Sequence, residues 1–271
     1  MNRRFLLLGI SAAFVLLIVT FVVSMRKSKA PSQAKVESVS PSGLISQAKE
    51  LEGKGNLLEE RLIYKRLINE FPESSEALSW QKAVENINIR LLFSPELTPK
   101  SVFYEIKQGD TLERIAKEFK TTSELIMKSN NLSSDKIFPG RKLKVWTEPF
   151  SIVVDKSQNT LILKTDEEII KTFVVSTGTS GSTPTGNFKI VNKISNPTWF
   201  KAGAVVEPGS PENILGSRWL GFDLSGYGIH GTTEPQNLGK QVTQGCVRML
   251  NSEVEELYAI VPVGTEVTII E

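Results

Sequence analysis

Cysteine and histidine are nearly missing from this 271-residue chain, which holds one of each, Cys246 and His230. A lone cysteine closes no internal disulfide. One thiol and one imidazole also fall short of the four such ligands of a structural zinc site; no metal and no cofactor is expected. An excess of charge of one sign is missing too: 32 Lys and Arg stand against 30 Asp and Glu, a net +2. That is too little for the basic field that holds phosphate backbones, and no nucleic acid partner is expected. The length suits one large domain or two to three small ones. Any thiol chemistry falls to Cys246.

Charge is also missing locally. "FLLLGISAAFVLLIVTFVVS", Phe5 to Ser24, is an uncharged run of 20 residues, enough to cross a hydrocarbon core of about 30 Å as a helix. It ends directly in "MRKSKA" without a small-x-small cleavage site, which predicts a retained single-pass anchor over residues 1–27. Basic residues on both flanks leave its orientation open. Residues 28–42 are polar, contain two prolines and show no period, the pattern of a flexible linker.

Helical periodicity begins near Leu44. Ala48 and Leu51, then Leu58, Leu62, Leu67 and Ile68, then Trp80, Val84, Ile87 and Leu91 predict three pieces within 43–98. "AKELEGKGNLLEERLIYKRLINEFPES" resembles a tetratricopeptide unit, with a Gly-rich turn between helices and a proline closing the second. Two readings stay open, a helical spacer and a module that docks a protein partner. Within 102–147, Phe103, Glu105 and Ile106 suggest a short strand. Asp110 is expected to cap a helix, with Glu113 as its reciprocal partner and Leu112, Ile115, Ala116 and Phe119 on its apolar face. A second helix is predicted from Ser123 to Ser129 and a closing strand from Lys142 to Val145. This βααβ order, with "GDTL" opening the first helix, resembles the LysM fold. The resemblance implies binding to the N-acetylglucosamine-containing glycan of peptidoglycan or chitin; a structural spacer is the other reading.

The rest, 149–271, is strand-rich. "FSIVVDKSQNTLILKTDEEIIKTFVVSTG" alternates apolar and polar residues over three runs and predicts a meander with one buried face. "STGTSGSTPTGNFKI" is Gly-rich, but it lacks the Gly-Lys-Ser/Thr ending and leads into a strand, so no helix end is available to hold a phosphate. His230 closes the strand candidate "GYGI", and Cys246 follows 246 − 230 = 16 residues later, after a loop with Pro235 and Gly239 that can return the chain. Ser252 and Glu255 look like a capping box, with Val254, Leu257 and Val261 on one helical face, so Cys246 is expected on a turn just ahead of a helix. An adjacent imidazole would make a thiolate-imidazolium pair, and Gly245 would let the amides of Gly245 and Cys246 face a developing oxyanion. A buried, inert thiol is the alternative.

"GIHGTTEPQNLGKQVTQGCVRMLNSEVEELYAIVPVGTEVTI", with "TPTGNFKI", "NPTWF" and "NILGSRWLGF" upstream, resembles the L,D-transpeptidase (YkuD-type) family. The resemblance implies an acyltransferase of peptidoglycan that acylates its thiol with a tetrapeptide stem, releases the terminal D-alanine, and passes the acyl group to a diamino-acid amine on a second stem. Carried over, Cys246 is the nucleophile, His230 the general base, and Gly245 with Cys246 the oxyanion amides; Gly231, Gln244 and Arg248 fall beside the substrate. Arg248 has two readings, a bidentate anchor for a substrate carboxylate and a structural ion pair. Gln244 departs from the pattern, which usually has a second histidine there.

The expected fold is therefore multidomain: a transmembrane helix, a small all-α segment, a βααβ LysM-like module and a mainly-β L,D-transpeptidase-type domain. Such an order makes sense with the body outside the cytoplasmic membrane and peptidoglycan as partner. An L,D-carboxypeptidase using water, and a wall-binding scaffold with a weakened site, are the alternatives.

Overall fold

The computed structural model describes residues 40–166, 168–201 and 203–271. The expected anchor, and the linker up to residue 39, lie outside them; among the described residues no helix is long and apolar enough to cross a membrane.

Three helices come first, α1 (Pro41–Gly53), α2 (Leu57–Glu70) and α3 (Ala77–Leu92). Proline suits the first helical position of α1 because its missing N–H would be unpaired there. Asn56 caps α2 by accepting the Glu59 amide at 3.3 Å. The buried stripe of α2 runs through Leu57, Glu60 and Leu67, with Ile63 and Tyr64 packed beside it. Leu58 packs with Leu57 on Ile87 and Leu91 of α3, whereas Leu62, expected inside, is 60% exposed.

Next come β1 (Ser101–Glu105), α4 (Leu112–Glu118), α5 (Ser123–Ser129) and β2 (Lys142–Trp146), with β1 and β2 antiparallel. Ile106, Leu112, Ile115, Ala116, Ile126, Leu143 and Val145 fill their core. The α4 cap differs from the expected one. Thr111 accepts the Arg114 amide at 3.2 Å, whereas Asp110 Oδ2 accepts from the Lys107 amide and Tyr104 hydroxyl, each at 2.8 Å. Asp110 is one residue too early to cap and instead ties down the entering loop.

The remaining strands are β3 (Phe150–Asp155), β4 (Thr160–Thr165), β5 (Glu168–Val174), β6 (Thr177–Gly178), β7 (Gly186–Ser195), β8 (Trp199–Lys201), β9 (Ala204–Val206), β10 (Arg218–Phe222), β11 (Gly228–His230), β12 (Gln241–Thr243), β13 (Val247–Arg248) and β14 (Glu266–Ile270), with one helix, α6 (Asn251–Ile260). Eight form a sheet in the order β13-β11-β10-β7-β14-β3-β4-β5. The pairs β14·β3 and β11·β13 are parallel and the other neighbours antiparallel. Strict alternation in β3 and β4 puts Phe150, Ile152, Val154, Leu161 and Leu163 inside, and α6 covers that face with Val254, Leu257 and Ile260. The capping box expected at Ser252 is absent: α6 starts at Asn251 after an N-cap, Leu250, that makes no side-chain cap.

Covalent order and packing do not coincide. Residues 41–271 form one compact unit, and a single apolar cluster takes Ile89 and Leu92 from α3, Leu125 from α5, Trp146 from β2 and the interior of the large sheet. Trp146 stacks on Phe150 with ring centres 5.4 Å apart. Polar contacts reinforce the joint. Lys144, a buried residue, donates from Nζ to Leu91 O in the last turn of α3 at 2.6 Å and to Ser94 O just beyond it at 2.8 Å, satisfying groups that a helix end leaves open. Thr122 Oγ1 donates to Ala259 O. Asn88 Nδ2 donates to Ile169 O and Ile170 O, each at 3.2 Å.

Glu168 joins three segments at once. Lys65 from α2 and Lys100 from the connection before β1 reach its carboxylate at 2.5 and 2.8 Å, with Arg61 at 3.7 Å. Burial alone would raise its pKa, but the hydrogen bonds and charges of Lys100 and Lys65 outweigh it and hold the carboxyl at about 2, below its ordinary 4.5. A depressed carboxyl pKa stabilises the fold above its unfolded value and loses that contribution as pH falls through the folded one. Glu168→Gln is therefore expected to lower unfolding free energy by about 2 kcal/mol at neutral pH. The deficit against the parent should be full above about pH 4.5 and shrink toward pH 2, as read by urea melts across that range.

Candidate active site

Parallel pairing of β11 with β13 aligns Ile229 with Val247 and His230 with Arg248. Side chains alternate faces along a strand, so Gly228 and His230 share a face with Arg248, and Cys246, immediately before β13, meets the Gly228 amide. The pairing is short, and its surroundings hold it. Met249 N donates to His230 O at 3.0 Å, and Ser176 exchanges backbone hydrogen bonds with Arg248 at 2.7 and 2.8 Å. On the other side β10 sets Trp219 opposite His230, their rings stacked 6.0 Å apart. Cys246 sits in a turn ahead of α6, as expected, with the two-residue β13 between them.

The turn carrying Cys246 is closed by one hydroxyl. Thr243 Oγ1 donates to Cys246 O at 2.7 Å and accepts from the Gly245 amide at 3.2 Å. Gly245 sits at φ +136°, and a Cβ there would lie 2.6 Å from Tyr227 Cε1 and 3.0 Å from Ser182 O, so only glycine fits. Gly178 backs this turn: a Cβ at 178 would lie 3.0 Å from Gly245 Cα and overlap Ser182 Oγ. Gly178 N donates to Thr183 Oγ1 at 2.7 Å, and β6 pairs with β12. The Gly-rich stretch is thus the wall behind the cysteine. Its composition signals tight backbone approach, but not to which segment; Thr243, Tyr227, Ser182 and Gly178 were beyond the reach of sequence reasoning.

The other expected residues fall into place unevenly. Gly231 is buried; its carbonyl lies 2.7 Å from His230 Nδ1. Arg248 is buried and ion-paired to Glu234 at 2.9 Å, while its Nε has no partner among the described residues. Gln244 is exposed.

Two family profiles match the chain: the L,D-transpeptidase catalytic domain (YkuD) over residues 149–269 and the LysM domain over 104–146. YkuD of Bacillus subtilis strain 168, named as an L,D-transpeptidase, is 36% identical over 173 residues that cover 61% of this chain and 97% of that one. The chain belongs to the L,D-transpeptidase (YkuD) family. YqjB of the same organism, also so named, is 43% identical over 124 residues, covering 44% of this chain and 69% of its own. An L,D-transpeptidase structure from Mycobacterium smegmatis aligns over 49% of this chain and 64% of its own with 17% identity and a TM-score of 0.40.

The electrostatics of this L,D-transpeptidase site differ from the expected ion pair. A carbonyl oxygen can only accept, so the contact to Gly231 O puts the ring hydrogen on His230 Nδ1 and leaves Nε2 with a free lone pair. Burial pulls the imidazole pKa down to about 4, the Gly231 contact opposes this, and the Arg248 charge lowers it further. Burial pushes the Cys246 thiol above its ordinary 9.0, against the Gly228 amide and Arg248, which both favour thiolate. At neutral pH the pair is a neutral imidazole and a neutral thiol, because desolvation disfavours both charged forms. The S–H points to Gly226 O at 3.5 Å, so it must turn to reach the ring. Iodoacetamide alkylation of Cys246 should therefore be slow at pH 7 and climb continuously through about pH 9. A plateau reached below about pH 7 would show a preformed thiolate and contradict this reading.

Proposed function

We propose that the protein is a membrane-anchored peptidoglycan L,D-transpeptidase whose body lies on the extracytoplasmic side of the membrane. What supports the chemistry is the register of β11 with β13, which sets His230 beside Arg248 with Cys246 immediately before β13, together with the hydrogen that His230 Nδ1 gives to Gly231 O. The uncharged run Phe5–Ser24 is the basis for the anchor, and a wall substrate gives its orientation. The LysM domain implies that the protein binds peptidoglycan.

In the first step Cys246 sulfur attacks the stem carbonyl that bears the terminal D-alanine, and His230 Nε2 takes the thiol proton. The tetrahedral oxyanion draws on the amides of Gly245 and Cys246. The Gly245 amide is held by Thr243 Oγ1 at a long 3.2 Å, a neutral bond that a full oxyanion outcompetes. Collapse breaks the C–N bond; the imidazolium returns its proton to the leaving amine, and a thioester remains on Cys246. The diamino-acid amine of a second stem then attacks the thioester, His230 removes its proton, and sulfur leaves to be reprotonated. Base and acid roles alternate on one nitrogen, which a resting pKa of about 4 favours for proton return rather than storage.

Gln244 supports this reading rather than the scaffold. The turn is shaped by Thr243, Gly245 and Tyr227, so an exposed side chain at 244 leaves nucleophile and base in place. The ion pair between Arg248 and Glu234 supports a structural role for Arg248, and its charge also favours the thiolate during attack.

A carbapenem, a β-lactam class that acylates this family, gives the test. By intact-mass measurement the parent protein should gain the mass of the drug and Cys246→Ala should gain none. Capture of the drug by Cys246→Ala would remove Cys246 as nucleophile.

A further inference from the structure

We propose that Asn251 is a positioning residue for the base: it locks the Gly231–Thr232 peptide and through it fixes the tautomer of His230. The inference rests on the reading of His230 as general base. Asn251 opens α6, yet its side chain turns away from the helix. Asn251 Oδ1 accepts from the Ser217 and Thr232 amides, each at 3.1 Å, and Nδ2 donates to Thr232 O at 2.9 Å. The carboxamide thus engages both backbone groups of Thr232, as a neighbouring strand would.

The Thr232 N–H belongs to the same planar peptide as the Gly231 carbonyl, and in a trans peptide the two groups point in opposite directions. Fixing the N–H therefore aims the C=O, and that carbonyl receives His230 Nδ1–H at 2.7 Å. Donating a hydrogen bond from the N–H end also polarises the carbonyl and strengthens it as an acceptor. The chain is built around this contact. A Cβ at Gly231 would overlap Asn251 Oδ1, and so would one at Gly216, which also sits at φ +66°. Three segments far apart in sequence, at 216–217, 231–232 and 251, meet on one side chain.

Without the lock the imidazole reverts toward its solution preference, in which the hydrogen sits on Nε2. Such a ring offers no lone pair to the thiol. Removal of an orienting partner, or a base held in the wrong tautomer, lowers activity by about tenfold to ten-thousandfold in other enzymes.

Because His230 is the sole histidine, nitrogen NMR of the full chain in detergent, labelled with 15N-histidine and free of a histidine tag, reads one ring. The parent at neutral pH should show a protonated Nδ1 and a bare Nε2. Asn251→Ala should populate Nε2–H and slow carbapenem acylation by at least about tenfold. Asn251→Asp keeps the acceptor for both amides and should retain the Nδ1–H signature and most of the rate. Asn251→Ala with the parent's tautomer intact would overturn the proposal, whatever its rate. If Asn251→Ala does not fold, a folded Asn251→Asp with the ring on Nε2–H overturns it equally. Failure of the underlying reading looks different: His230→Ala would then acylate at the parent rate.

Discussion

The two-residue parallel pairing between β11 and β13 is the constraint on which the site depends. It aligns His230 with Arg248 and so brings Cys246 beside the Gly228 amide. Two paired residues hold little by themselves, and the register is imposed from outside: Ser176 on one flank, Trp219 on the other, and the Met249 amide on His230 O. Behind Cys246 the glycines at 178 and 245 let two backbones approach to a distance that any side chain would prevent. Burial that makes this assembly rigid also keeps the imidazole and thiol uncharged at rest. The Arg248 charge opposes that burial at the thiol and favours the thiolate.

Packing extends the same rigidity beyond the catalytic sheet. Trp146 and Leu125 contribute to the core that Phe150 and Leu257 fill, and Lys144 and Glu168 tie the three-helix segment to both neighbours. The LysM module is thus welded to the catalytic body rather than strung before it. Under the proposed function, a glycan strand held by that module meets the thiol at a fixed geometry, and its removal would expose apolar surface of the catalytic core.

Much of this was legible in the residues. Apolar spacing located α4 and placed α5 from Ser123 to Ser129, and alternation located β3 to β5, because those patterns follow one local period. The lone thiol and lone imidazole could be paired because the intervening loop has the turn residues to reverse the chain. What escaped was set by groups distant in sequence. Asp110 and Ser252 have capping chemistry, but the loop tie to Tyr104 claims the first and the helix start at Asn251 strands the second. Leu62 belongs to a helical stripe, yet the neighbouring helices cover the one beside it. The thiolate-imidazolium pair fails because spacing reports proximity and not desolvation. Asn251, whose partners lie 19 and 34 positions away, carries no local signal at all.

Under the proposed function this site joins stem peptides through a Cys246 thioester. Incubation of the full-length protein with purified sacculi, followed by mass spectrometry of the released muropeptides, tests it most directly. New crosslinked dimers should form with the parent protein and none with Cys246→Ala. Shortened monomers without dimers would make the enzyme a hydrolase, and an unchanged muropeptide profile would contradict catalysis altogether.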